Sequence, residues 1–191
     1  YRISKLELLL KDQRIIEVQQ SLQKEHITDA LLHSALTIKN VASQIDVIIH
    51  AVGIILALPH ILEDGEVVQS LSLGAGNTGK AFDLESSLRI AEFKFINWRG
   101  GSEAIRQNQL FKDLFTLAAY ETNKRKCLYL TSTEIPLKFL STSKRALSSV
   151  MSKNEAIKEQ FYNTYGDKYN TVSSYSHSVK DTVSIIYLVP I

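Results

Sequence analysis

A single cysteine, Cys127, leaves no intrachain disulfide framework to hold this chain together, so a packed core must do it. The unpartnered thiol fits a reducing, cytoplasmic compartment, and within the strand-like run KCLYL it reads as buried apolar filler. With three prolines and eight glycines there is no collagenous or low-complexity tract, and no internal repeat is present. Long hydrophobic runs are also missing. The most apolar stretch, Val47 to Leu58, is interrupted by His50 and Gly53 and closed by Pro59, short of the roughly 20 residues a spanning helix needs. It reads as a buried core helix, and no membrane association is expected. No basic-then-apolar signal segment opens the chain, and a start at Tyr1 leaves targeting at that end unread.

What is present is ordinary soluble-protein material: 191 residues, 45% hydrophobic and 22% charged, enough for one domain or a domain plus a helical extension. The net charge of +2 hides an asymmetry. Before Trp98 stand nine basic and twelve acidic residues; after it, thirteen and eight, so the halves carry −3 and +5. Basic clusters at Lys124, Arg125, Lys126 and at Lys144, Arg145 suit a phosphate-backbone footprint, although solvated faces explain most such clusters.

Along the chain the periodicity changes. Residues 3 to about 39 place apolar positions three and four apart, predicting amphipathic helix in two segments, an N-terminal extension over 1–42. A second helix, about 43 to 62 and apolar on most sides, should lie against a sheet and open a domain over 43–191. Glu66 to Leu73, Phe82 to Glu85 and Leu88 to Ile96 read as strands, the last two as a hairpin. Ser102 is a candidate N-cap for a helix from Glu103 to Glu121, and Lys126 to Ser132 is the next strand. Beyond, 143–150 and 154–165 read as helices, Tyr169 to Ser178 as a polar loop and Val183 to Val189 as a strand. The fold class is mixed α/β, with helices packed on a sheet.

The informative stretch is FDLESSLRIAEFK, residues 82–94. With Ser86 and Ser87 as the two turn residues, Glu85 faces Leu88 and Asp83 faces Ile90, so Asp83, Ile90, Glu92 and Lys94 share one sheet surface. Asp83 and Glu92 become diagonal neighbours, roughly 7 Å apart, close enough to reach one divalent cation. An arbitrary Glu-x-Lys is a solvated surface pair. Here Ile90 and Ile96 flank the triplet, with Phe93 and Phe95 behind, and charge inside such a strand is costly unless paired or metal-bound.

These residues, in this element order, resemble the PD-(D/E)xK nuclease superfamily over about residues 43 to 132. The resemblance implies a restriction endonuclease-like core of helix, three antiparallel strands, helix and strand. It also implies a phosphodiester hydrolase in which Asp83, Glu92 and the main-chain carbonyl of Phe93 hold Mg²⁺ or Mn²⁺, with Lys94 positioning water or neutralising charge. The helix after the third strand often carries a polar residue that reaches the active site in this superfamily, and Gln107 is the candidate. Phe111 stands where the exonuclease branches have a tyrosine. A further acid from the first core helix would be Asp46, Glu63 or Glu66. His50, on the helical face of Asp46, reads first as a satisfied core histidine.

The expected substrate is nucleic acid, DNA ahead of RNA, with a possible homodimer through the N-terminal helices. The alternative is a catalytically silent nucleic-acid-binding or assembly module of the same fold. GAGNTGK, residues 74–80, matches half of a P-loop, but Ala81 replaces the metal-binding Ser or Thr and a strand follows instead of a helix. It reads as a loop beside the site, with Asn77 and Lys80 available to phosphate. Trp98 and Arg99 offer a base-stacking and phosphate pair, or Trp98 covers the core. The tyrosines from Tyr162 to Tyr175 read as packing on their own domain ahead of a nucleic-acid surface.

Overall fold

The computed structural model describes residues 15–24, 26, 28–74, 79–95, 98, 103–131 and 134–188. The chain divides into two compact units, Tyr1–Asp46 and Val47–Ile191. In the first, helix α1 (Ile15–Lys24) precedes a turn in which His26 takes a φ of 54°. Helix α2 (Asp29–Ile61) then runs for 33 residues, where the sequence suggested a break near residue 40. Nothing there stops it: Asn40, Val41 and Ala42 include neither proline nor glycine, and extending a helix is far easier than nucleating another. Pro59 falls in its last turn, where little of the ladder remains to be broken.

The second unit is built on a five-stranded sheet of order β1-β2-β3-β4-β5. Strands β1 (Val68–Leu71), β2 (Leu84–Ser86) and β3 (Arg89–Lys94) are antiparallel. Strands β4 (Arg125–Leu130) and β5 (Val183–Tyr187) continue the sheet in parallel. Helix α3 (Ala104–Ala119) makes the crossover that the parallel pair β3 and β4 requires. Helices α4 (Glu134–Thr142), α5 (Leu147–Val150), α6 (Glu155–Tyr165) and α7 (Val172–Ser178) lead to β5. The fold is thus mixed α/β, in the order helix, three antiparallel strands, helix, strand.

The two-residue period of β3 and β4 decides what each sheet face meets. Ala91, Phe93, Cys127 and Tyr129 pack with Ile54 and Ala57 from the C-terminal half of α2. Ile90, Leu128 and Leu130 pack with Leu110, Phe111, Leu114 and Phe115 of α3 and with the later helices. Glu92 and Lys94 share the parity of Ile90, and Lys94 reaches α3.

Three local expectations change. Residues 172–178, read as loop, form α7, because Thr171 and Ser174 close a capping box and Tyr175 is fully buried against Phe111 and Phe161. The helix read over 143–150 shortens to Leu147–Val150, and α4 precedes it, with Pro136 tolerated in its first turn. Ser102 lies outside the described residues; Glu103 occupies the N-cap position of α3 and makes no side-chain capping bond.

Candidate active site

The hairpin register sets the geometry. Leu84 pairs with Ala91 and Glu85 with Ile90, so the turn residues are Ser87 and Leu88 rather than Ser86 and Ser87. Ser86 is the cause. Its buried Oγ accepts from the N–H groups of Leu88 (3.1 Å) and Arg89 (2.9 Å) and donates to Glu66, which closes the turn one residue later and keeps Ser86 in the strand. The side-chain parity survives this shift of two in pairing. Continued past Leu84 and Ala91, this register sets Asp83 opposite Glu92 rather than diagonal to it, and the Asp83 charge helps to raise the Glu92 carboxyl.

Asp83 is held from two sides. Its Oδ2 accepts from the Phe93 N–H at 2.9 Å, and its Oδ1 lies 3.2 Å from His50 Nε2. His50 is therefore a partly exposed neighbour of the acids rather than a sealed core residue, and its ring stands edge-on to Phe95. Gly53, one turn further along α2, permits that approach: a Cβ there would lie 2.7 Å from the Phe95 ring. Two residues beyond Glu92, Lys94 Nζ stands 2.5 Å from Asp113 Oδ2 of α3.

The cluster holds three acids and one lysine in a desolvated setting. Burial, reinforced by the charges of Asp113 and Asp83, pushes the Glu92 carboxyl up to about 10 against the pull of Lys94. Burial works against the Asp83 carboxylate too. The hydrogen bonds from His50 and the Phe93 N–H outweigh it and hold Asp83 below the usual range. For Lys94, burial disfavours the ammonium, yet Asp113 more than restores it and the pKa rises. Asp113 is itself raised by burial, in opposition to Lys94. The 2.5 Å contact favours an ionised Lys94–Asp113 pair, and burial holds Glu92 toward its protonated form.

Asp83 and Glu92 are the residues here that could hold a divalent cation. Asp83 and Glu92 supply hard oxygens, and the Phe93 carbonyl points to the same strand edge as its N–H, where Asp83 sits. Among the described residues no three His, Cys, Asp or Glu side chains form a metal cluster. Two carboxylates, a main-chain oxygen and retained water nevertheless suit magnesium, which keeps several of its waters.

The other candidates make contacts of their own or are exposed. Gln107 Oε1 accepts from Arg145 Nη1 at 2.9 Å, so its amide is engaged with a cation rather than with the acids. Asp46 is exposed. Glu66 forms a two-point ion pair with Arg89 through Nε and Nη2 (2.7 and 2.5 Å), and Glu63 bonds Arg125 and Arg89, so both acids serve the base of the hairpin. Of the basic cluster at 124–126, Lys124 pairs with Glu85, Arg125 with Glu63, and Lys126 donates to the Ala118 carbonyl.

Lys80 donates to the Leu71 carbonyl, and β2 begins at Leu84 with no helix opening at Lys80, which excludes the P-loop. Asn77 and Arg99 lie outside the described residues. Trp98 is buried, as a cover for the core would be, and Tyr165, Tyr169 and Tyr175 pack among themselves and on Phe161.

Sequence reading passed over Asp113. It sits between Leu110 and Leu114 inside the apolar stripe of α3, and an acid on a core-facing helical position is itself a signal of a buried partner.

Set against known proteins, the chain matches no protein-family model, no curated protein and no solved structure. Among the described residues no helix is long and apolar enough to cross a membrane.

Proposed function

We propose that this chain is a divalent-metal-dependent nuclease that hydrolyses phosphodiester bonds, of DNA ahead of RNA, with Asp83, Glu92 and Lys94 at its centre. One arrangement carries this reading: two carboxyl groups on facing positions at the open end of a buried hairpin, one fixed by a main-chain N–H, with a lysine two residues on. The finer fold assignment, a restriction endonuclease-like core, draws support from the element order around that hairpin. Asp83, Glu92 and the Phe93 carbonyl would hold Mg²⁺ or Mn²⁺, which when bound lowers the pKa of a coordinated water and stabilises charge on the phosphate.

The chain's own residues divide the remaining work. Asp83, kept ionised by His50 and the Phe93 N–H, would be the preset ligand, and Glu92 would join it once its proton passes to solvent. Lys94, kept cationic by Asp113, orients water or neutralises charge on the scissile phosphate. Gln107 and Arg145 together present an amide and a guanidinium to a neighbouring phosphate.

The second reading, a silent nucleic-acid-binding or assembly module, draws on the same Lys94–Asp113 pair, which satisfies the lysine internally.

The test incubates the protein with plasmid, linear and single-stranded DNA and with RNA, in Mg²⁺, Mn²⁺ or EDTA, beside Glu92→Ala and Lys94→Ala. Metal-dependent cleavage lowered at least ~100-fold in both variants is expected. Retarded nucleic acid without cleavage would favour the silent module, and cleavage that survives both substitutions would sink this site.

A further inference from the structure

A cavity of about 270 Å³, lined wholly by residues of the second unit, lies against the edge strand β5. Its walls differ in character. Leu114 of α3, Leu137 and Leu140 of α4, and Val183 and Ile185 of β5 supply apolar surface. Ser176, His177 and Lys180, from the end of α7 and the turn after it, supply polar surface.

The polar wall is short of protein partners. The Ser176 hydroxyl oxygen is buried and makes no hydrogen bond among the described residues. His177 Nδ1 donates to the Ser173 carbonyl at 2.7 Å, and its Nε2 has no partner among those residues. Lys180 is exposed and, among the same residues, has neither an ion pair nor a hydrogen bond. A helix C-terminus accounts for a cation near it, but not for a buried hydroxyl left unpaired. A hydroxyl and an ammonium on one wall suit an anionic group, and the facing apolar walls suit a hydrocarbon joined to it. Cavities of about 150 Å³ with apolar linings take up benzene, so this one suits roughly ten non-hydrogen atoms.

We propose that this cavity binds a small amphiphilic acid, its hydrocarbon against Leu137, Leu140 and Ile185 and its carboxylate on Ser176 and Lys180. The carboxylate accepts from the Ser176 hydroxyl and the Lys180 ammonium, and His177 adds a donor when its ring carries both protons. The inference stands independently of any catalysis at Asp83 and Glu92.

Isothermal titration of the wild type with octanoate, butyrate and octanol at neutral pH tests this. Octanoate should bind with a dissociation constant at or below about 1 mM. Butyrate, too short to cover the apolar walls, should bind at least ~10-fold more weakly, and octanol, without the charge, at least ~3-fold. Lys180→Met, at an exposed position, should weaken octanoate at least ~3-fold, and Leu137→Trp should block it by filling the cavity. Ser176→Ala should weaken octanoate while raising the melting temperature of the free protein, because it removes an unpaired buried hydroxyl. A wild type that takes no octanoate, its cavity holding only water or a segment of another protein, overturns the proposal. So does octanol bound as tightly as octanoate, or an octanoate affinity unmoved by Lys180→Met or by Leu137→Trp.

Should a variant fail to fold by circular dichroism, chemical-shift mapping of the wild type with octanoate decides. The shifts should centre on residues 137–141 and 176–185. Shifts centred on any other part of the chain overturn the proposal.

Discussion

Glu92 lies in a strand interior, flanked by two other acids, where a free carboxylate is costly unless something positive answers it. The answer here is a proton, held at a cost to stability. Glu92→Gln should therefore raise the melting temperature in EDTA while abolishing cleavage in Mg²⁺ or Mn²⁺. Equal or lower stability of the glutamine variant in a thermal scan would show that the acid cluster is not strained. Lys94 poses the opposite case. Lys94→Met strands Asp113 in a buried position and should cost about 2–4 kcal/mol. Adding Asp113→Asn should recover a good part of that loss without restoring cleavage, and a double-mutant cycle by denaturant unfolding reads the coupling. Additive effects would separate the two residues.

At the scale of the element, the hairpin is held at its closed end by a second, structural ion pair. Glu66 has no exposed side-chain surface and receives Arg89 at two points, with Ser86 donating beside it. Burial alone would raise its carboxyl, but the hydrogen bonds from Arg89 and Ser86 dominate and lower it to about 2. A depressed carboxyl stabilises the fold above its unfolded pKa, near 4.5, and that contribution is lost as the pH falls from there to about 2. Wild type should accordingly exceed Glu66→Gln by roughly 2–3 kcal/mol at neutral pH, with the gap closing below pH 4. A gap that stays constant down to pH 2 would assign the difference to packing.

Much of this element was legible beforehand, because the alternation in LRIAEFK and the flanking apolar residues report burial directly. The turn was not. Its position depends on one serine hydroxyl capturing two N–H groups, a contact that leaves no periodic trace. Asp113 was hidden by the strength of the apolar stripe around it, and α7 by a composition of serines and tyrosines that favours helix only weakly. The engagement of Gln107 with Arg145 was equally unreadable, since the two lie 38 residues apart in sequence.

Across the whole second unit, the candidate site rides on the most enclosed strand. β3 and β4 have hydrogen-bonded neighbours on both sides and buried side chains on both faces, whereas β1 and β5 are edges. Glu92, Phe93 and Lys94 therefore belong to the part of the molecule that opens last, and a site that must hold two acids and a lysine in fixed geometry gains from that placement. Asp83 precedes β2 and depends on His50 and Phe93 for its position.

Hydrogen exchange read by mass spectrometry should show residues 89–94 and 125–130 as the slowest-exchanging segments, well behind 68–71. Mn²⁺ should then slow residues 81–86 more than any other stretch, because the ion ties their loosely framed aspartate to a strand that is already rigid. Protection gained instead around 63–66, or a fast-exchanging β3 without metal, would place the cation elsewhere or remove the rigid platform on which the proposed chemistry depends.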